Sequence, residues 1–231
     1  MNLGLAEELT EKLDIASKVY HLHLGSFDIP LPQSVVVTWG VMVFLVILAI
    51  VFTRKLEVVP KGKQAVFESF MDFIYGLFYG ILGERGKRYI PYLITVLLYL
   101  GISNMLGLIG IAPPTKDLNV TAGLALMSIV LVQYAGIRQR GVGGWLKHFA
   151  HPLAMITPMN ILELAIRPVS LCMRLFGNVL GAYIVMELII YCVPAVVPLV
   201  ASAYFDIFDG ILQAYVFCFL TSLFIQESIE D

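Results

Sequence analysis

The residues of this sequence that could do chemistry are charged and amide side chains that interrupt two long apolar segments. In the first segment, Glu163 and Arg167 are four residues apart and Arg174 follows seven residues later. Asn178 comes four residues after that. At about 100° per residue these positions share a helix face roughly 60–80° wide. Because charged side chains inside a membrane segment are costly and are functional candidates by default, this face is a candidate functional surface.

The two arginines on this face differ in their local surroundings. Glu163 and Arg167 are one helical turn apart and can pair with each other near the cytoplasmic end, which leaves their role in transport open. Arg174 has no acidic residue three or four positions away and lies near the middle of the apolar segment. Since a guanidinium is permanently charged, Arg174 requires a partner from another helix or another subunit.

The last apolar segment carries a second polar face. Asp206, Asp209 and Gln213 share it, and the seven-residue spacing aligns Asp206 with Gln213. Asp206 is a candidate functional carboxylate, with a solvated acid near the helix start as the alternative. Asp209 is equally consistent with exposure at the outer interface. Glu187 projects to a different side from Arg174, which leaves its role open.

The elements that position these residues are membrane helices. Of 231 residues, 59% are apolar and 14% charged, whereas a soluble domain is about 45–50% apolar and about 25% charged. The net charge of −2 gives no reason to expect nucleic-acid binding. At about 20 residues per span, the chain has room for five or six membrane helices and no large extramembrane catalytic domain.

The hydropathy pattern divides the chain into an outer segment and a series of helices. It predicts an external N-terminal segment (1–33), a span (34–53), an amphipathic surface helix (60–84), two further spans (89–112 and 118–137) and two long helices (152–192 and 198–226). The first long helix, about 60 Å at 1.5 Å per residue, must lie tilted or broken. Pro194 and Pro198 are the expected break between the two long helices. Basic residues near the span ends predict an external N-terminus and a cytoplasmic C-terminus.

Three motifs in these segments resemble one known family. The sequence SLCMRLFGN (170–178) resembles the arginine-bearing signature of subunit a of the F-type ATP synthase. PTKDLNVTAGLAL (114–126) is similar to the start of the span before its basic loop, and ILQAYVF (211–217) to its C-terminal glutamine motif. The resemblance implies an all-α integral membrane protein. Its parts would be an upright N-terminal helix, a surface helix, a helical hairpin and two long tilted helices against a ring of c subunits.

The resemblance also implies roles for individual residues. Arg174 matches the essential arginine that faces the ring carboxylate. Gln213 matches the glutamine near that arginine, and Asn178 the asparagine one turn away. Glu163 matches the acid toward the cytoplasmic access path.

Two positions depart from the family pattern. Tyr183 stands nine residues after the arginine, where the family often has a glutamate, and the nearest acid is Glu187, one turn further. Asp206 stands where some members have histidine. The resemblance implies two half-channels, which are aqueous paths that each lead from one membrane surface to mid-membrane. We therefore expect the outer half-channel to use Asp206, together with Glu187, in place of a glutamate–histidine pair.

These observations predict the ion-conducting stator subunit of a rotary ATP synthase in a bacterial plasma (inner) membrane. The expected partners are the c-subunit ring, the b-subunit peripheral stalk, other ATP synthase subunits and the lipid bilayer. No cofactor or metal is expected. The sequence contains no GxxxxGK[ST] phosphate-binding loop, so ATP chemistry belongs to other subunits. The alternative function is a stand-alone permease or ion channel, and the sequence leaves the choice between H⁺ and Na⁺ open.

Overall fold

A computed structural model describes residues 19–24, 27–54, 62–150, 157–192 and 197–230. These residues form helices and one small β-hairpin, so the predicted all-α class is confirmed for the part of the chain that enters a membrane. The predictions for residues 1–18, 60–61 and 152–156, and for the break at Pro194, lie outside the described residues.

The hairpin precedes the first helix. Strands β1 (Val19–Leu24) and β2 (Phe27–Pro32) pair antiparallel, with Val19 opposite Pro32 and Leu24 opposite Phe27. The sequence analysis treated this region only as part of an external segment and missed both strands. The available signal was Gly25-Ser26 between two short stretches of alternating residues, a pattern typical of hairpins.

Seven helices follow in the described ranges. They are α1 (Gln33–Thr53), α2 (Lys63–Gly86), α3 (Ile90–Met105), α4 (Leu118–Ala150), α5 (Thr157–Cys192), α6 (Val197–Ser202) and α7 (Gly210–Ile229). Short 3-10 turns at Lys87–Tyr89, Leu106–Ile109 and Pro114–Lys116 connect α2 to α3 and α3 to α4. A π-helical segment, Ala203–Asp209, joins α6 to α7.

Five stretches of the described chain are long and apolar enough to cross a membrane. They are Gln33–Thr53, Gln64–Ile109, Leu118–Gly141, Leu162–Cys192 and Val197–Ile229. The chain is therefore a multi-span membrane protein.

Two helix ends differ from the predicted boundaries. The span predicted over 118–137 does not end there, because α4 continues to Ala150 with one non-helical residue, Gly141, at φ 70°. Glycine adopts this conformation without steric cost, so Gly141 breaks the helix within a single residue. The span predicted to reach residue 112 stops earlier, at Gly110 with φ 77°.

The core lies where α7 packs against α2, α3 and α4, while α5 packs mainly against α4. Phe78 of α2, Leu93 of α3 and Phe217 of α7 are buried together with other apolar side chains of these helices. Most apolar side chains of α1 are instead exposed. The Ser34 hydroxyl at the start of α1 donates a hydrogen bond to Asp117 Oδ2 at 2.5 Å. This bond ties α1 to the beginning of α4.

Candidate functional site

The polar face of α5 is the face that the helix bundle leaves open. Ser170, Arg174 and Asn178 are exposed, whereas Leu171 and Leu175 are 3% and 0% exposed. Residues four apart lie on the same side of a helix. The bundle therefore covers the apolar side of α5 and leaves the arginine side uncovered.

Arg174 has no partner inside the described chain. Its guanidinium makes no hydrogen bond or ion pair with any residue that the structure describes. A permanent charge in an apolar span needs a counter-charge or polar surroundings. The guanidinium therefore needs a counter-charge or polar surroundings from outside the described residues.

Asn178 and Gln213 join α5 to α7 one turn from the arginine. The Asn178 side-chain amide donates a hydrogen bond to Gln213 Oε1. Gln213 is 2% exposed, and its Nε2 has no hydrogen-bond partner in the described part of the chain. Leaving a buried donor unpaired costs free energy. The Gln213 Nε2 group can therefore donate a hydrogen bond to a further acceptor close to the arginine face.

A buried hydrogen-bond chain fixes the start of α7 and hence the position of Gln213. Asn104 Nδ2 donates to the carbonyl oxygen of Gly210 at 2.9 Å. The Thr115 hydroxyl donates to Asn104 Oδ1 at 2.8 Å. A Cβ at position 210 would lie 3.0 Å from the Asn104 Cβ. Glycine therefore allows α7 to approach α3 closely at this level.

Asp206 lies in the π-helical segment that precedes α7. The Ser202 hydroxyl donates to its Oδ2 at 2.6 Å. Its carboxylate also lies against Gly107, where a Cβ would come within 2.4 Å of Oδ1. Segments of π-helix occur frequently at functional sites, and here the segment carries both Asp206 and the half-buried Asp209.

Arg167 and two carboxylates form a second polar cluster on α5. Arg167 Nη2 lies 2.8 Å from Glu163 Oε1 and 2.7 Å from Glu227 Oε1 of α7. The guanidinium also lies 4.8 Å from the ring centroid of Phe224. The pair with Glu163 is the local one that the spacing allows. The sequence analysis did not predict the contact with Glu227. The available signal was an acidic residue near the end of the last helix, which an antiparallel arrangement brings close to the start of α5.

Lys116 forms a third cluster with α5. It is 3% exposed, and its Nζ lies 3.1 Å from the ring centroid of Tyr183. The Tyr183 hydroxyl is hydrogen-bonded to the Glu187 side chain. Burial lowers the pKa of Lys116 to about 8, and Glu187 acts in the opposite direction. The sequence analysis counted Lys116 only as the basic residue of a short outer loop.

The structure thus places the predicted site residues in separate groups. Asn178 and Gln213 are in contact. Glu163, Asp206 and Glu187 belong to different clusters, and Arg174 stands apart on the open face. This distribution of the polar contacts suits a path that runs along helices more than a compact catalytic centre.

Comparison with known proteins decides the family. The family model described as ATP synthase A chain matches residues 35–226. The chain belongs to this family. It is 39% identical over 204 residues to the ATP synthase subunit a of Moorella thermoacetica, and the aligned residues cover 88% of this chain and 92% of that relative.

Two further relatives extend the comparison. The chain is 35% identical over 223 residues to a Propionigenium modestum protein named ATP synthase subunit a, sodium ion specific, with 90% of this chain and 77% of that one covered. It is 33% identical to the ATP synthase subunit a of Trichlorobacter lovleyi over 94% of this chain and 95% of the relative. Family membership confirms the predicted role as an ion-translocating stator subunit, with other ATP synthase subunits as partners. The stand-alone permease or channel is not favoured.

Proposed function

We propose that this chain carries a monovalent cation between the two membrane surfaces by way of a rotating ring of c subunits. Two half-channels would end near mid-membrane without meeting. The ion would enter one, bind a ring carboxylate, travel with the ring and leave by the other. The observation that carries this proposal is the exposed, unpaired Arg174 on the open face of α5.

Arg174 is suited to separate the two half-channels electrostatically. An opposite charge within about 4–6 Å lowers a carboxyl pKa by about 1–3 units. A ring carboxylate that passes Arg174 would therefore favour its ionised form and release its ion. The same positive charge repels any cation that could cross directly from one half-channel to the other. Each elementary charge moved across the membrane is worth about 2.3 kcal/mol per 100 mV.

The other predicted residues would line the two half-channels. Glu163 would serve the cytoplasmic path, while Asp206, with Glu187, would serve the outer path. Gln213, held by Asn178 and with its Nε2 unpaired, would stabilise the region between the outer path and the arginine. Glu163 lies near the start of α5, where Arg167 pairs with Glu227 at the end of α7. Asp206 precedes the start of α7 and so lies toward the other end of this antiparallel helix pair, which supports this division.

The proposal also names partners and location. The c-subunit ring would cover the open face of α5, and the b-subunit peripheral stalk would hold the chain against rotation. The location would be a bacterial plasma (inner) membrane, with the N-terminus outside and the C-terminus cytoplasmic. The distribution of basic residues supports this orientation.

Arginine replacement in the assembled complex tests the mechanism. Arg174→Ala is expected to abolish ATP-driven ion uptake into membrane vesicles, because Arg167, the other arginine on that face, is already paired with Glu163 and Glu227. Arg174→Lys should also fail largely, since a compact ammonium differs in reach and hydrogen-bonding geometry. Arg167→Ala is the matched control on the same helix and should retain most uptake. Near-normal uptake by Arg174→Ala would overturn the proposal.

Cross-linking tests which face of α5 meets the ring. A cysteine at exposed Ser170 should cross-link to a cysteine in the outer helix of a c subunit. A cysteine at Leu171, 3% exposed, should not. The opposite pattern would mean that the open face of α5 does not adjoin the ring.

A further inference from the structure

Lys116 is buried in a way that a loop lysine normally is not. It ends the short turn Pro114–Lys116, and its exposed fraction is 3%. The turn packs against α1, α3, α4 and α5. Neither α1 nor α3 contains a charged residue, and the basic residues of α4 lie in its distant second half. Lysine is almost never fully buried unless it is paired.

The partners of Lys116 all come from one face of α5. The ammonium sits over the Tyr183 ring, 3.1 Å from its centroid, and the face of an aromatic ring attracts a cation. The Tyr183 hydroxyl is hydrogen-bonded to Glu187, which favours the charged form of Lys116. The nearest other acid, Asp117, accepts its hydrogen bond from Ser34, and Asp206 accepts one from Ser202.

Lys116 and Glu187 therefore influence each other through Tyr183. A buried ammonium near a carboxylate repels any other cation that approaches, so the carboxylate binds that cation less tightly. In a conducting path, binding must be strong enough for the ion to enter and weak enough for it to leave. A tethered cation beside the carboxylate meets the second requirement, because it competes with the transported ion.

We propose that Lys116 is a positioning residue of the outer half-channel, acting through Tyr183 on Glu187 as a built-in competitor that prevents the transported cation from being retained there. The proposal rests on the proposed function, since it assumes that Glu187 lies on the outer path. It assigns a role to Lys116, which the motif spacing did not single out. It also gives a role to Tyr183, which stands where the family pattern often has a glutamate, and to Glu187 one turn further.

The test is a comparison of Lys116→Met with Lys116→Arg in the assembled complex. ATP-driven uptake is measured against Na⁺ concentration at fixed pH, and against pH without added Na⁺. For Lys116→Met, slower release of the ion from Glu187 should lower the maximal rate and, in proportion, the ion concentration that gives half-maximal uptake, by about tenfold. The shift should appear in the Na⁺ series if Na⁺ is carried and in the pH series if H⁺ is carried. Lys116→Arg keeps the charge and should stay close to the parent.

Two further variants keep the result interpretable. Tyr183→Phe retains the ring below the ammonium but removes the hydrogen bond to Glu187, so it should shift half-maximal uptake in the same direction even if Lys116→Met fails to assemble. In a Glu187→Gln background, Lys116→Met should have no further effect on half-maximal uptake. No shift in either series, or an equal shift in the Glu187→Gln background, would overturn the inference. Normal uptake by Arg174→Ala would instead overturn the proposed function.

Discussion

Replacement of Gly107 by alanine tests whether the space beside Asp206 matters. A Cβ at position 107 would lie 2.4 Å from Asp206 Oδ1 and 2.8 Å from its Cγ, whereas ordinary contact begins at 3.4 Å. The carboxylate must therefore move by about 1 Å. A shift of this size directed away from Ser202 lengthens the 2.6 Å hydrogen bond from that residue to about 3.6 Å, which is no longer a hydrogen bond.

The expected cost follows from that lost bond. A hydrogen bond to a charged group contributes about 1.5–3 kcal/mol, and alanine recovers up to about 1 kcal/mol of backbone preference over glycine. Gly107→Ala should therefore lower the stability of the complex by about 1–2 kcal/mol. If the displaced carboxylate raises the barrier to ion transfer by a similar amount, ATP-driven uptake should fall about tenfold.

The assay combines thermal unfolding of the detergent-solubilised complex with ATP-driven ion uptake in vesicles. Gly101→Ala is the matched control, because a Cβ at position 101 meets nothing within 4 Å. The double variant Gly107→Ala/Asp206→Ala removes the clash and should be no less stable than Asp206→Ala alone. Unchanged stability and uptake in Gly107→Ala, or equal effects of the two glycine variants, would refute the reasoning.

Three other substitutions give sharp expectations. Arg167→Gln removes both carboxylate contacts and should lower the free energy of unfolding. The loss should be limited to about 1–2 kcal/mol, because Glu163 and Glu227 are both more than half exposed. An unchanged unfolding transition would contradict this. Lys116 has a pKa of about 8 when folded and 10.5 when unfolded, so the unfolded chain binds more protons between these values and stability should rise with pH there. Lys116→Met should lose that rise in a series of melting temperatures. Ser103→Ala should leave stability unchanged or raise it, since the Ser103 hydroxyl is buried without a partner in the described chain; a loss above about 1 kcal/mol would point to an unseen partner.

Much of the membrane architecture could be predicted from the sequence. Long apolar stretches identify spans because a bilayer demands about 20 apolar residues in succession, a requirement that needs no knowledge of neighbouring helices. Helical periodicity likewise predicted that Ser170, Arg174 and Asn178 share one face, and the structure leaves that face exposed. The arginine and glutamine motifs predicted the family. All of these signals are local, so each can be found within a single helix.

Contacts between helices depended on the tertiary structure. The second carboxylate on Arg167 comes from Glu227, sixty residues away, and the cation over Tyr183 comes from a turn two elements earlier. Periodicity shows which side of a helix is polar, but it does not show the relative heights and crossing angles of helices distant in sequence. The burial of Lys116 and the close approach of Asp206 to Gly107 depend on those relations. The sequence by itself determined the spans, the polar faces and the family, because each depends on the order of residues along one segment. Only the packing decided which charges meet, because that depends on where each helix lies against the others.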